Sequence, residues 1–185
     1  MKANIQTEQR GFSLVEMVLV VGIFSVLLLV VASVTGHVVR ERVRDAQRLV
    51  DMENIEKALL LYGHDNGAWP PRTDNDCSGW DQGQVGGLGS NDPFINPLVS
   101  SGYFGRTLGD PLYTAVCTGY HYAYYNADTN GCDPELGAYY VLAIRDMETS
   151  SGPHPDSPGF SCPGRDWQDN FEWVTGRFEQ PWLVQ

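Results

Sequence analysis

The sequence predicts an α+β fold in which a long N-terminal helix packs on a small antiparallel β-sheet. Three patterns support this prediction. Residues 17–36 carry no charged side chain and are long enough to cross a bilayer as a helix. Apolar residues then recur at steps of three or four as far as Tyr62, which indicates that the helix continues. From Tyr120 onward, short runs of alternating aromatic and strand-forming residues predict β-strands.

The second half of the helix is predicted to be amphipathic. Its apolar stripe consists of Val43, Ala46, Leu49, Met52, Ile55, Leu59 and Tyr62. Charged residues are expected on the other faces, namely Arg42, Asp45, Arg48, Asp51 and Glu56. A coiled coil is the alternative, but the stripe is too short for sustained heptads, so we expect it to pack on its own domain. Turn residues 65–67 and the prolines at 70–71 end the helix.

The remaining sequence predicts a small sheet that is reached through a long connector. Residues 72–111 are dense in Gly, Asn, Asp and Ser, and we expect a connector with short helical turns near 96–102. A hairpin is predicted from Tyr120–Tyr124 and 138–146, with a third strand within 171–178. The alternating tyrosines are expected to face the helix as core, although a platform for a sugar or for electron transfer is an alternative.

The charge of the chain argues against binding of nucleic acid. The formal net charge is -11, and a nucleic-acid interface would need clustered Lys and Arg. Repulsion between such acidic domains favours solubility. Any attraction that brings copies together must therefore come from another part of the chain.

Four cysteines follow the apolar run: Cys77, Cys117, Cys132 and Cys162. The even number and the absence of CxxC or zinc-finger spacing favour two disulfides in an oxidising compartment, with free or buried thiols as the alternative. In an antiparallel hairpin, Cys117 and the loop that holds Cys162 would lie at one end and Cys132 at the other. This arrangement predicts the pairs Cys117–Cys162 and Cys77–Cys132.

One acid interrupts the apolar N-terminus. Glu16 lies at the edge of the uncharged run, where a carboxylate costs about 2.5–3.5 kcal/mol on insertion scales. A plain membrane anchor gains nothing from this residue, and an ordinary secretory signal would have a shorter apolar stretch with a small-residue cleavage site. The carboxylate is therefore a candidate functional group that requires a partner.

The string RGFSLVEMVLVVGIFSVLLL resembles the prepilin cleavage motif of type IV pilins and type II secretion pseudopilins. The resemblance implies cleavage after Gly11, N-methylation of Phe12 and an assembly role for Glu16. It also implies a pilin fold, with a leader at 1–11, a membrane-spanning and assembly segment at 12–36, an amphipathic half-helix at 37–62 and a globular head at 63–185. The proline that many pilins carry within the apolar helix is missing here.

The same resemblance implies the partners and the location. The partners would be copies of the chain and related pilins, prepilin peptidase, an inner-membrane assembly platform and lipid before assembly. The chain would cross the bacterial inner membrane once with its head outside the cytoplasm, and would then enter a periplasmic or cell-surface filament. Arginines after the span point to the opposite orientation by charge, but the cysteines and the resemblance favour an external head.

The pattern of residues does not predict an enzyme. We find no nucleophile elbow, zinc-binding helix, phosphate loop or dinucleotide fingerprint, and the histidines are scattered. No cofactor or metal is predicted. The acids nearest to a calcium-loop pattern, Asp156, Asp166 and Asp169, are expected to be solvated. Three functions remain: a type IV pilus-like subunit, a type II secretion pseudopilin and, remotely, a membrane-anchored enzyme.

Overall fold

The computed structural model describes residues 13–73, 77–83, 94–105, 109–112 and 117–179, apart from the side chains of residues 34 and 35. Its α-helices are α1 (Leu14–Asn66) and α2 (Asn96–Ser100), and short 3-10 helices span Thr129–Gly131 and Pro134–Leu136. Its strands are β1 (Asp81–Gly83), β2 (Gly119–Tyr125), β3 (Tyr139–Arg145), β4 (Ser161–Cys162), β5 (Arg165–Asp166) and β6 (Trp173–Phe178). The chain divides into two compact units, unit 1 (residues 1–40) and unit 2 (residues 41–185).

The main sheet of unit 2 has four antiparallel strands in the order β1-β2-β3-β6. In the register of the central strands, Tyr122 faces Leu142, and Leu142 faces Thr175. The predicted hairpin is β2–β3, and the predicted third strand is β6. A long N-terminal helix with an antiparallel sheet confirms the α+β prediction and is consistent with a pilin fold.

One face of the sheet packs on the second half of α1. Tyr120 and Tyr122 are fully buried in one cluster with Met52, Ile55 and Leu59. Side chains two residues apart on a strand share a face, so the alternating tyrosines place their rings against the helix. The prediction that these tyrosines form core is confirmed.

The predicted apolar stripe is wrong at its N-terminal end. Val43 is 60% exposed and Ala46 is also exposed, whereas Asp45, Arg48 and Asp51 are at most 7% exposed. The buried face of the helix is therefore rotated relative to the hydrophobic pattern. The reason is that these three polar side chains form hydrogen bonds inside unit 2, which offset the free-energy cost of burying them.

The second face of the sheet is also covered. Tyr139, Val141 and Ala143 lie in a separate buried cluster with Trp167 and Phe171, which belong to the segment between β3 and β6. Val141 and Ala143 point to the opposite face from Tyr140 and Leu142, since successive side chains alternate. The long β3–β6 connection thus folds back over the sheet and gives the head a second core.

A short edge strand lies within the predicted connector. β1 pairs with β2, and the Gln82 side chain donates to the Thr118 carbonyl (2.6 Å) while it accepts from the Cys117 N–H (3.2 Å). The neighbouring Asp81 carboxylate accepts from the Ile95 N–H at 3.0 Å and so holds the start of α2. The predicted connector therefore also contains a strand at 81–83 that the sequence did not indicate, while the helical turn near 96–102 is confirmed.

The disulfide pairing differs from the prediction. The structure joins Cys77 to Cys117 and Cys132 to Cys162, with Cα–Cα distances of 5.4 and 5.0 Å. The predicted pairs Cys117–Cys162 and Cys77–Cys132 are therefore wrong. Two unpredicted features explain the change.

First, β1 brings the chain that follows Cys77 alongside β2, just after Cys117. Second, the β3–β6 connection carries Cys162 back to the β2–β3 loop, where the Gly164 N–H donates to the Asn130 carbonyl at 2.9 Å. Each bridge therefore joins segments that the sheet has already placed side by side.

Candidate functional site: the processing and assembly segment

The start of α1 holds the acid that the sequence singles out. Glu16 is the third residue of the helix, and its carboxylate accepts from the backbone N–H of Ser13 at 3.4 Å. A Ser-x-x-Glu pattern whose glutamate reaches back to the first residue is half of a capping box. Negative charge is favoured in the first helical turn by the helix dipole. The carboxylate is thus positioned at the N-terminal end of the helix, four residues after Phe12.

The apolar side chains in the described remainder of unit 1 are exposed around the whole helix. Leu14 is 80% and Leu29 is 71% exposed. The most apolar 18-residue window of α1 has a mean hydropathy of 3.0, and none of it is buried in the protein. Its length and composition suit a membrane crossing.

Polar groups within this surface are satisfied inside the helix. The hydroxyl of Ser25 donates to the Val21 carbonyl at 2.7 Å, and that of Ser33 donates to the Val30 carbonyl at 2.8 Å. Hydroxyls bonded in this way add little cost in an apolar environment. The described part of the segment is therefore suited to lipid or to the apolar side chains of other helices.

Comparison with protein families identifies the segment. Residues 7–32 match the model of the prokaryotic N-terminal methylation motif. The chain carries a prepilin-type N-terminal methylation motif. This is the cleavage and methylation motif of type IV pilins and pseudopilins, so the resemblance seen in the sequence is confirmed. Comparisons with curated proteins and with solved structures give no match.

The motif has general consequences for the class of protein. It indicates a structural, pilin-type substrate rather than an enzyme, and it implies processing by prepilin peptidase and assembly into pilin-type filaments. Together with the apolar helix, it indicates a membrane-anchored, single-pass protein. Of the predicted processing and assembly residues, Glu16 is described by the structure, whereas Gly11 and Phe12 lie outside the described residues.

A buried ionic cluster holds helix α1 in place near the residue where unit 2 begins. Arg48, whose side chain is 2% exposed, donates from Nε and Nη2 to the two carboxylate oxygens of Asp110, each at 2.7 Å. Its Nη1 donates to Asp45 and, at 3.0 Å, to Glu148. Arg44 also pairs with Glu148. A bidentate guanidinium–carboxylate pair is among the stronger side-chain interactions in proteins.

The remaining oxygens of the cluster are also satisfied. Asp45 accepts from the Thr149 N–H at 2.8 Å and from its hydroxyl at 2.6 Å, while Asp110 accepts from the Leu112 N–H at 2.8 Å. Gly119 lies against Asp110 with φ +77, and a Cβ at that position would come within 2.7 Å of the Asp110 Cβ. The close approach and the backbone conformation both require glycine.

The protonation of the cluster follows from these contacts. Burial by itself would raise the pKa of Asp45, but hydrogen bonds from Thr149, the Glu148 backbone and Arg48 outweigh it and lower this pKa. The hydrogen bond from Arg44 is the main cause that lowers the pKa of Glu148. Burial opposes the charged form of Arg48, yet its carboxylate partners raise its pKa. Asp45, Glu148 and Arg48 are therefore charged at neutral pH, and the cluster stabilises the packing of the helix in unit 2.

Other residues considered from the sequence lie apart from these sites. Asp156, Asp166 and Asp169 are exposed residues of the β3–β6 connection, and Asp166 accepts from the Gln168 N–H at 2.9 Å. Among the residues that the structure describes, no group of His, Cys, Asp and Glu is arranged to hold a metal ion.

Ser13 and the Arg48 cluster were not predicted from the sequence. The Ser-x-x-Glu spacing could have revealed the first. For the cluster, the three-residue spacing of Asp45, Arg48 and Asp51 shows that they share one helix face. The same spacing is common on solvent-exposed faces, so the pattern alone could not predict burial.

Proposed function

We propose that the chain is the structural subunit of a type IV pilus-like filament. It is made as a prepilin, cut by prepilin peptidase between Gly11 and Phe12, methylated on the new amine and polymerised through its N-terminal helix. The match of residues 7–32 to the methylation motif is the observation that carries this proposal. The unburied apolar surface of unit 1 supports it, since this surface requires a cover of lipid or of other helices.

In this proposal, Glu16 selects the register of assembly. Unit 1 after Phe12 contains no Lys or Arg before Arg40, so the acid has no basic partner on its own helix in the apolar region. After cleavage, the Phe12 amine of an adjacent subunit meets Glu16 and neutralises both charges within the helical bundle. A subunit out of step would bury both charges unpaired, which is costly.

The proposed location follows from the same features. Before assembly the chain crosses the inner membrane once, with unit 2 outside the cytoplasm, where two disulfides would be maintained. It then moves into a periplasmic or cell-surface filament through an inner-membrane assembly platform. The partners in the filament are copies of the chain and related pilins.

A second candidate is a pseudopilin of a type II secretion system, whose short filament drives protein export. The helix exit at 58–70, with its run of leucines, its Asp65-Asn66-Gly67 turn and its Trp-Pro pair, favours this candidate. The two functions share processing and assembly. Deletion of the gene separates them: loss of visible surface pili supports the pilus, whereas loss of secretion without loss of pili supports the pseudopilus.

Mass spectrometry of the mature N-terminus tests the shared step. We expect a chain that begins at N-methylated Phe12, and we expect Gly11→Val to leave the leader attached. Gly22→Val is the matched control, because nothing lies within 4 Å of a Cβ built at Gly22, and this variant should be cleaved normally. A mature chain that still begins at Met1, or one cut near Ser33, would contradict the proposal.

A further inference from the structure

A cationic pocket lies on the acidic unit 2. Its volume is about 490 Å³, and the side chains that define its character are Arg72, Arg145, Arg165, Trp80 and Tyr125. The Cys77–Cys117 disulfide forms part of its wall. A ligand pocket for a small molecule typically measures about 300–1,000 Å³. The pocket is therefore large enough for one sugar residue.

None of the three guanidinium groups is held by a carboxylate of the described residues. Arg72 donates to the Gly79 carbonyl, and Arg145 donates to the Asn170 carbonyl at 3.4 Å while it lies 4.8 Å from the centre of the Phe171 ring. Arg165 lies 5.5 Å from the centre of the Trp167 ring. Carbonyl oxygens and ring faces orient a guanidinium but leave its charge uncompensated.

Most basic residues outside the pocket in the described part of unit 2 pair with a carboxylate, although the exposed Arg42 does not. The paired residues are Arg44, Arg48, Lys57 and Arg177. The three pocket arginines make no ion pair with any described carboxylate, although the chain has nearly twice as many acids as bases. Like charges that converge on one concavity repel each other. An anion bound between them would remove that repulsion.

We propose that this pocket binds a carboxylated sugar residue of the uronic-acid class. The planar fork of a guanidinium matches a carboxylate with two parallel hydrogen bonds. The half-buried Tyr125 ring offers an apolar surface for the sugar ring, and the exposed Ser78 hydroxyl is available to the sugar hydroxyls.

The charge of the rest of the chain restricts the ligand further. A polyanion such as a nucleic acid would extend beyond a pocket of this size onto a protein of net charge -11, which repels it. A single acidic sugar, free or on an otherwise neutral glycan, places its one charge inside the pocket and avoids that repulsion. The structure therefore assigns the pocket to one anionic sugar residue.

Titration of the full-length chain in detergent micelles tests the assignment. Glucuronic acid is titrated by calorimetry and by the fluorescence of the tryptophans, with glucose as the neutral match and with acetate and sulfate as anions without a sugar ring. We expect glucuronic acid to bind in the millimolar range or tighter, and about tenfold or more tighter than each of the other three ligands.

Two variants and a control locate the site. Arg145→Gln and Arg165→Gln should each weaken binding of glucuronic acid about tenfold, because each removes a charge-assisted hydrogen bond. Arg42→Gln removes an exposed arginine that does not line the pocket, and it should leave the affinity unchanged. Near-UV circular dichroism checks that all three variants retain the fold.

Several results would overturn the assignment. One is glucose binding as tightly as glucuronic acid, and another is an Arg42→Gln effect equal to that of the pocket variants. Equal binding of sulfate would show a general anion site. A short oligonucleotide titrated in the same way should bind more weakly, and tighter binding would show a nucleic-acid site. Absence of measurable binding by glucuronic acid would also reject it.

Discussion

The two parts of helix α1 reverse the usual relation between polarity and burial. In unit 1, apolar side chains such as Leu14 and Leu29 are more than two-thirds exposed, while in unit 2 Asp45 and Arg48 are at most 3% exposed. The charges are tolerated because unit 2 supplies partners for them. The most apolar window in the described part of unit 1 is not buried within the protein. The first part of the helix therefore requires an environment from outside the chain, whereas the second part carries its own.

The largest expected effect concerns Glu16, the one acid within residues 13–40. Glu16→Ala should leave membrane insertion and cleavage largely intact but abolish or sharply reduce incorporation into filaments. Removal of one partner of a buried charge pair costs about 3–5 kcal/mol, which here would fall on assembly. Glu16→Asp should be intermediate because its reach is shorter. The measurement compares processed protein in membranes with protein in sheared filaments.

Glu53→Ala is the control for this comparison, since Glu53 lies on the exposed side of the same helix and is 65% exposed. It should assemble like the wild type. If Glu16→Ala subunits enter homopolymeric filaments at wild-type levels, charge pairing does not direct assembly and apolar packing of the helices is sufficient.

The corresponding test in the unit 2 part of helix α1 replaces Arg48. Arg48→Met keeps the length of the side chain but leaves the buried Asp45 and Asp110 without their cation, and should lower the free energy of unfolding of unit 2 by about 3–5 kcal/mol. Denaturant titration followed by tryptophan fluorescence measures this change. Lys57→Met is the matched control, because its ion pair with Glu53 is exposed, and it should change stability by less than about 1 kcal/mol. Similar losses in both variants would show that the cluster contributes little.

Lysine substitutions at two valines of similar exposure distinguish the environments of the two parts of helix α1. Val26 is 61% and Val43 is 60% exposed. Val26→Lys should reduce membrane insertion by about 2.5–3.5 kcal/mol, since it places a charge at the centre of an apolar span. Val43→Lys should alter stability by no more than about 0.5 kcal/mol, as expected for an aqueous surface.

Membrane fractionation and denaturant titration of both variants provide the measurements. If Val26→Lys inserts as well as the wild type, the first region is not covered by lipid. If Val43→Lys blocks insertion while Val26→Lys does not, the boundary between the two regions has been placed wrongly.

The most gradual expected effect concerns a buried group of unit 2 that would acquire a charge without a counterion as the pH falls. His121 is fully buried, and burial lowers its pKa from 6.5 to about 4. Its Nδ1 lies 2.9 Å from the Gly119 carbonyl, which can only accept, so Nδ1 carries the proton and the ring is neutral. Arg145 adds to the cost of a second proton.

The sign of the pH dependence follows from this lowered pKa. Between pH 6.5 and about pH 4 the unfolded chain binds a proton on His121 that the folded chain does not. The stability that the neutral His121 contributes is therefore fully present above pH 6.5. It is lost as the pH falls, and the free energy of unfolding decreases by at most about 1.4 kcal/mol per pH unit. His121→Gln should flatten this slope, whereas His64→Gln, at a side chain that is 72% exposed, should not. An unchanged slope in His121→Gln would assign the acid sensitivity to other groups.

The sequence by itself determined the features that depend on local pattern. The uncharged run at 17–36 and the single acid at its edge are read directly from residue order, and the family comparison confirms a methylation motif over residues 7–32. Cleavage between Gly11 and Phe12 stays a prediction. The alternating aromatics of β2 and the strand formers of β3 follow from the two-residue period of a strand. These features required no knowledge of what lies beside them.

Only the tertiary structure decided which helix face is buried and which cysteines pair. From hydropathy alone, Val43 would be expected to be buried and Arg48 to be exposed, but the structure shows the opposite. Arg48 is buried because it pairs with Asp110, which is distant in sequence. Cys77 and Cys117 pair because β1 lies beside β2. The three pocket arginines likewise come from separate segments of the chain. Long-range contacts of this kind leave no periodic trace in the sequence, since each depends on how distant segments fold against one another.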